Sequence, residues 1–425
     1  MQQPANGYQE FRRGWPVVLS ATLGIGLGLS PVPFYSLGSF APELAREFGW
    51  KFGDIMQGIP FLTGAVILFS PLAGWLADRY GVRKVTLTSV VLFGLSFMAL
   101  ALSNGSLPRF YATWAVMAVF GTGTLPITWT RAVNGWFDIR KGFALGLCLM
   151  GTGLFGYLVK PFAAWIIGDY GWRAAYVAIG ALPLAIALPV AWWGFHDAGP
   201  VRQNAADRRA DLVLRKAVTP GLSIPEVLSS WRFWLIALAC AMISFAVGGA
   251  IPNMENILRL SGFVRTDVVW LASLIGIAVI VGRTLGGWLL DRFWAPGVAL
   301  LLLGVPSSAF WLLAHGPQGY WLSALSVFEV GLAAGVEFDL MAFLTARYFG
   351  MKHYSVIYAW IYCGLAFGAA VGPVVFGRSF DRSGNYGFPL LLSSALMLAS
   401  ATLLLALGRY RDFPAPLAEA LAEPA

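Results

Sequence analysis

Twelve apolar stretches, each long enough to cross a bilayer, take up most of this 425-residue chain: 15–40, 54–78, 85–103, 109–134, 142–167, 173–195, 232–257, 267–290, 297–315, 319–345, 355–377 and 386–408. A helix needs about 20 such residues to cross the ~30 Å hydrocarbon layer. In lipid each backbone polar group must be bonded within the protein, which leaves helices or closed barrels. Runs of this length predict an all-α membrane protein with twelve transmembrane helices. Charge content agrees: only 12% of residues are charged, against about 25% in soluble domains. The mean hydropathy of +0.69 excludes a single soluble core. Met1 to Arg13 is short and polar, and the run after it is long enough to span, so no cleaved leader is expected. Cys148, Cys240 and Cys363 are odd in number, far apart and inside spans, and read as packing residues rather than disulfides.

The chain repeats itself at half-length. Gly74-Trp75-Leu76-Ala77-Asp78-Arg79-Tyr80-Gly81-Val82-Arg83-Lys84 returns 213 residues later as Gly287-Trp288-Leu289-Leu290-Asp291-Arg292-Phe293. Gly49 and Asp54 map at the same offset onto Gly262 and Asp267. One residue less maps Phe137, Gly156, Pro161 and Asp169 onto Phe349, Gly368, Pro373 and Asp381. Duplication of six-helix units predicts two pseudo-symmetric bundles with a site between them. The domains are read as residues 1–195, a polar linker at 196–230, and residues 231–425.

Charge sets the expected orientation. With the N-terminus inside, 18 of the 29 lysines and arginines fall in cytoplasmic segments and 8 in outer ones. Both termini are then cytoplasmic. The net charge of +8 reads as topology and contact with anionic lipid, not as a nucleic-acid surface.

The Gly74 to Lys84 stretch resembles the loop 2–3 signature of major facilitator superfamily transporters, matching at Gly74, Asp78, Arg79, Gly81, Arg83 and Lys84. The second copy departs from it, with Trp294 where the glycine would stand. Trp136-Phe137-Asp138-Ile139-Arg140-Lys141-Gly142-Phe143-Ala144-Leu145-Gly146, with Gly151, Gly156, Pro161 and Gly171-Trp172-Arg173, is similar to a stretch of bacterial monocarboxylate porters and oxalate/formate-type antiporters. Tyr35, Phe40 and Phe48-Gly49-Trp50 carry the same likeness. Arg13-Gly14-Trp15 lacks the acid that opens the first helix of animal monocarboxylate carriers. The aromatic-acid symporter motif D-G-x-D is missing too. The resemblance implies the major facilitator fold and a carboxylate-binding arginine in the eighth helix.

Ionisable residues inside spans are costly and are functional candidates. Arg283 lies eight residues before Asp291, about 12 Å along the helix, near the midplane. Its paired donors suit a carboxylate. Arg131 lies in span four, and Glu337 and Asp339 in the matching span ten. A pair between Arg131 and one of these acids would close the inner mouth, and that acid would carry a coupled proton. Two residues apart on a helix, the acids point about 200° from each other, so both are not expected to face the cavity. Lys160 either contacts the anion or extends to the outer surface. Glu329 is a further candidate. Tyr35 and Trp129 would supply an aromatic wall or a hydroxyl, and Asn253, Glu255 and Asn256 are expected to face outer water. Asp78 and Arg79, with Gly74, Asp291 and Arg292, would latch the inward face.

Other chemistry finds no support. Gly151-Thr152-Gly153-Leu154-Phe155-Gly156 fits a dinucleotide motif but lies mid-span with no preceding strand, and is expected to let helices pack closely. His196, His315 and His353 show no metal spacing. No nucleophile triad and no phosphate loop is present, so no cofactor and no enzymatic activity is expected. The reading is a monomeric, multi-pass protein of the plasma (bacterial inner) membrane that carries a small organic anion, a monocarboxylate, with protons by rocker-switch alternating access. The alternatives are carriage of a neutral or zwitterionic solute, drug efflux, or a receptor that does not transport.

Overall fold

The structure is a computed structural model and describes residues 7–137, 141–196, 221–316, 319–350 and 352–411. Most of the expected linker lies outside these. Among the described residues there is no strand, only one bridge between Gly221 and Gly350. The N-terminal half holds α1 Gly7–Gly26, α2 Val32–Phe48, α3 Phe52–Met56, α4 Gly58–Tyr80, α5 Val82–Met98, α6 Leu107–Gly121, α7 Pro126–Trp136, α8 Lys141–Leu182 and α9 Leu188–Gly194. A short α10, Ile224–Ser229, precedes α11 Trp231–Leu260, α12 Arg265–Arg292, α13 Ala295–Ala314, α14 Tyr320–Phe349, α15 Tyr354–Ser383 and α16 Gly387–Leu405.

Among the described residues, nine helical stretches are long and apolar enough to cross a membrane. One of them, residues 143–194, is two crossings bent at Gly171. The broken pair α1 and α2, and the acid-bearing α14, complete twelve. Repeat partners share backbone geometry. Gly49 and Gly262 end the first and seventh crossings with φ of 67° and 87°, while Gly171 and Gly384 bend the chain after the fifth and eleventh with φ of 83° and 70°. A side chain is strained at such angles, which explains glycine in both copies.

Two belts of exposed indoles mark the bilayer edges. Trp15, Trp75, Trp192, Trp193, Trp231, Trp234 and Trp288 ring the side that carries α10, here the linker side. Trp165, Trp270, Trp311 and Trp321 ring the far side. On the linker side, α10 opens with a capping box in which the Ser223 amide and hydroxyl both bond Glu226. These bonds hold the Glu226 carboxyl below its usual range. Leu222 N–H then donates to Phe349 O (2.9 Å), tying α10 to the end of α14.

Helices approach closely where side chains are absent. A Cβ on Gly151 would lie 2.1 Å from Thr22 O on α1, and one on Gly153 2.6 Å from Gly276 O on α12. The glycine-rich run therefore packs helices, as its mid-span position suggested. Across the halves, α8 meets α12 from Ala164, whose carbonyl accepts from Arg265 (3.3 Å), to Leu149, whose carbonyl accepts from Arg283 (3.4 Å). On the far side Asp381 of α15 accepts from the amides of Phe52 (2.8 Å) and Gly53 (2.7 Å) at the start of α3. Nearer the linker side, Cβ positions on Gly146 and Gly287 of α8 and α12 meet nothing within 4 Å. The halves thus join on the far side and part toward the linker side.

Gly276→Leu should wedge α8 from α12, since its Cβ would fall 2.3 Å from the Tyr157 backbone nitrogen. Overpacking of this kind costs about 1–3 kcal/mol. The thermal midpoint of the purified protein in detergent should fall. Gly304→Ala, whose nearest neighbour is 3.9 Å away, should leave it in place.

Candidate functional site

Two of the expected spans are broken near their middles. Pro31 lacks an amide and disfavours helix in the residue before it, so the first crossing divides at residues 27–31. Pro126 does the same to the fourth, after the short 3₁₀ turn Thr122–Thr124. The breaks face each other: Leu29 N–H donates to Thr124 Oγ1 (2.9 Å), and Thr128 Oγ1 donates to Gly123 O (2.8 Å). Unwound backbone at this depth is tolerated because neighbouring helices supply its partners. Hydropathy alone predicts both crossings to be continuous. Ser30-Pro31 and Leu125-Pro126 were the signals for the breaks.

Just beyond the first break, Tyr35 is buried with its ring over Gly156 of α8, 3.2 Å from that glycine's Cβ position. It lies within electrostatic reach of both Arg283 and Glu337. The Arg283 guanidinium reaches Leu149 O in one half and stands 3.9 Å from Asp339 Oδ2 in its own. At that distance the pair is loose. Arg283 Nε is buried without a hydrogen bond, and so is Glu337 Oε2. The Asp339 side chain is 29% exposed, so solvent reaches this group. Both Glu337 and Asp339 lie within electrostatic range of the Arg283 guanidinium, although they diverge on α14. Glu329, further along α14, has a buried, unpartnered Oε2 of its own.

Three expectations change. Lys160 does not extend outward. It is fully buried and bridges the halves, with Nζ 2.9 Å from Glu255 Oε1, and Ser39 donates to the same oxygen at 2.7 Å. The close α2–α11 contact at Gly38 and Pro252 lies beside the pair, with Glu255 Oε1 3.7 Å from the Gly38 Cβ position. Glu255 faces this pair rather than outer water, and Asn253 and Asn256 are buried beside Tyr386. Trp129 forms no cavity wall. It is fully buried in the N-terminal half on Gly24 and Phe195, its indole N–H on Thr124 O (3.2 Å).

Arg131 lies exposed on α7, and Asp339, one of the acids expected to answer it, is engaged with Arg283. Arg79 stacks over Trp75 (5.3 Å) and Tyr80 (5.6 Å), and Arg292 over Trp288 (4.4 Å). Gly74 has open space around it, Asp291 is exposed, and the Asp78 side chain lies outside the described residues. Among the described residues no group of three or more metal-ligating side chains occurs.

A family model described as Major Facilitator Superfamily matches residues 23–373. Monocarboxylate transporter 13 of Bos taurus is 28% identical over 423 residues, covering 95% of this chain and 91% of that one. A probable sulfoacetate transporter, SauU, of Cupriavidus necator is 26% identical, covering 84% and 85%. The gallate transporter of Pseudomonas putida is 25% identical, covering 88% of each. A bacterial homolog of the human lysosomal transporter Spinster, solved in an inward-facing and occupied conformation, shares the fold with a TM-score of 0.63 at 15% identity, over 95% of this chain and 96% of that one.

Glu255→Gln should leave the Lys160 ammonium buried without a counter-charge. Such a loss costs about 3–5 kcal/mol, whereas an apolar replacement of the whole pair is often near neutral. The thermal midpoint in detergent should drop for Glu255→Gln and recover in Lys160→Met/Glu255→Gln. Equal midpoints in all three proteins would mean that the pair contributes nothing to the closed far side.

Proposed function

The chain belongs to the Major Facilitator Superfamily, and on that premise we propose that it is a secondary active transporter of a small organic anion, a monocarboxylate, coupled to protons. It is a multi-pass membrane transporter and not an enzyme. The observation that carries the anion reading is Arg283. Its guanidinium stands at the meeting of the halves, is partly reached by solvent, and among the described residues is held by a carbonyl and a loose ion pair. Donors in that state can take a carboxylate in paired geometry. The named cargoes of the bacterial relatives, sulfoacetate and gallate, are organic anions too.

Charge balance supports the proton. Arg283 is flanked by Glu337 and Asp339. With both acids ionised the group is net negative and repels an anion; one added proton makes it neutral and lets the anion enter. Arg131 with Glu337 or Asp339 would close the linker side in the alternate state, as Lys160 and Glu255 close the far side here. Lys160 would be released to a second anion contact when the far side opens. Gly74, Asp78, Arg79, Asp291 and Arg292 would latch the linker side. The moving bodies are residues 1–195 and 231–425, joined by 196–230 and rocking about the central group. The protein would work as a monomer in the bacterial inner membrane, with both termini and the linker cytoplasmic.

Proteoliposomes supplied with labelled carboxylates should accumulate one of them, faster with an inward proton gradient, and Arg283→Ala should lose that uptake at least tenfold. Absence of flux for every carboxylate, in protein shown to be folded, would favour a neutral cargo. It would also make Arg283 a structural partner of Asp339.

A further inference from the structure

The closure of the far side is not solid. Between the halves lies a pocket of about 200 Å³, walled by Ser39 and Glu43 of α2, Ala164 of α8, Glu255 and Arg259 of α11, and Arg265 at the start of α12. It is smaller than the ~300–1,000 Å³ pockets of drug-sized ligands and suits an ion of a few carbons. The pocket reaches one member of the buried ion pair. Glu255 lines it and is 11% exposed, while Lys160 is fully buried.

The charges around this pocket do not balance. Glu43 is paired with Arg46, and Glu255 with Lys160. Among the described residues, neither Arg259 nor Arg265 has an acid within ion-pair distance. Arg259 donates to Asn256 Oδ1 (2.6 Å), and Arg265 to Ala164 O of the other half (3.3 Å). A guanidinium carries five N–H donors, so both keep donors for a ligand. Two cations without counter-charges in one cleft focus an attraction for anions. Their paired N–H groups fit a carboxylate.

We propose that this pocket is an outer anion site, where Arg259 and Arg265 take the carboxylate of the cargo before the halves part and present it to Lys160. This rests on the carboxylate reading of Arg283 and adds the step before it. Opening the far side draws Lys160 on α8 away from Glu255 on α11. A buried ammonium stripped of its counter-charge is strongly unfavourable. A carboxylate already held beside Glu255 exchanges for it, so Lys160 keeps an anionic partner and the cargo itself eases the opening.

The test maps labelling by the arginine reagent phenylglyoxal in the reconstituted full-length protein, read by peptide mass spectrometry. The probes are L-lactate and the neutral lactamide, and wild type is compared with Arg283→Ala. Lactate should slow labelling of Arg259 and Arg265 saturably, by about threefold or more, in both proteins. Lactamide should not. Arg173, which holds Glu47 at 2.7 Å on the same side, should label at one rate throughout. Absence of shielding overturns the outer site. Shielding that disappears in Arg283→Ala overturns it too, since the two arginines then only report cargo at the centre. Uptake of lactate, acetate and benzoate is measured on the same vesicles. Uptake without shielding leaves the carboxylate reading of Arg283 standing alone. Shielding in vesicles that take up none of the three overturns that reading and not the site.

Discussion

An ion inside hydrocarbon is tolerated only where another group answers it, and that requirement organises this transporter. Its buried charges gather at two depths between the halves. Toward the far side, the fully buried Lys160 meets the mostly buried Glu255 at 2.9 Å, and Ser39 donates to the same carboxylate. Deeper in, Arg283 stands among Asp339, Glu337 and Tyr35 with donors and acceptors left over. The first set is a close pair that bridges the halves. The second leaves Arg283 Nε and Glu337 Oε2 without a hydrogen-bond partner.

Backbone contact without side chains makes the closure possible. Lipid tails are as apolar as leucine, so helices in a membrane gain little from burying apolar surface and depend on close approach. Gly153 against Gly276, Gly38 against Pro252, and Gly53 against Gly377 bring the halves together at three helix pairs. Asp381 adds a direct bond by accepting from two free amides at the start of α3. Its repeat partner, Asp169, is exposed at the matching bend of the other half, so the duplicated scaffold uses one copy of the residue for closure. The broken first and fourth crossings lie against each other, where their freed amides and hydroxyls are answered within the same half.

Sequence carried the architecture because its signals are long and periodic. Apolar runs gave twelve crossings, and the 213-residue offset reappears as matched left-handed glycines at Gly49 and Gly262. Position along a helix is readable as well, since rise per residue is fixed: Arg283 lies two turns before Asp291 on α12. Two breaks were missed because Pro31 and Pro126 lie inside strongly apolar windows, and hydropathy does not register a lost amide.

What the sequence determined by itself was the solvent, the class of fold, the duplication, and how deep each charged residue lies along its helix. Those follow from composition and spacing along one chain. Which way each residue faces, and which residue of the other half it meets, only the tertiary structure decided. Lys160 could be read as reaching outward until α11 brought Glu255 to it, and Asp339 could answer Arg131 or Arg283 until α12 and α14 packed together. Azimuth and partner choice depend on packing between helices far apart in sequence, and hydropathy and helical period carry no record of that.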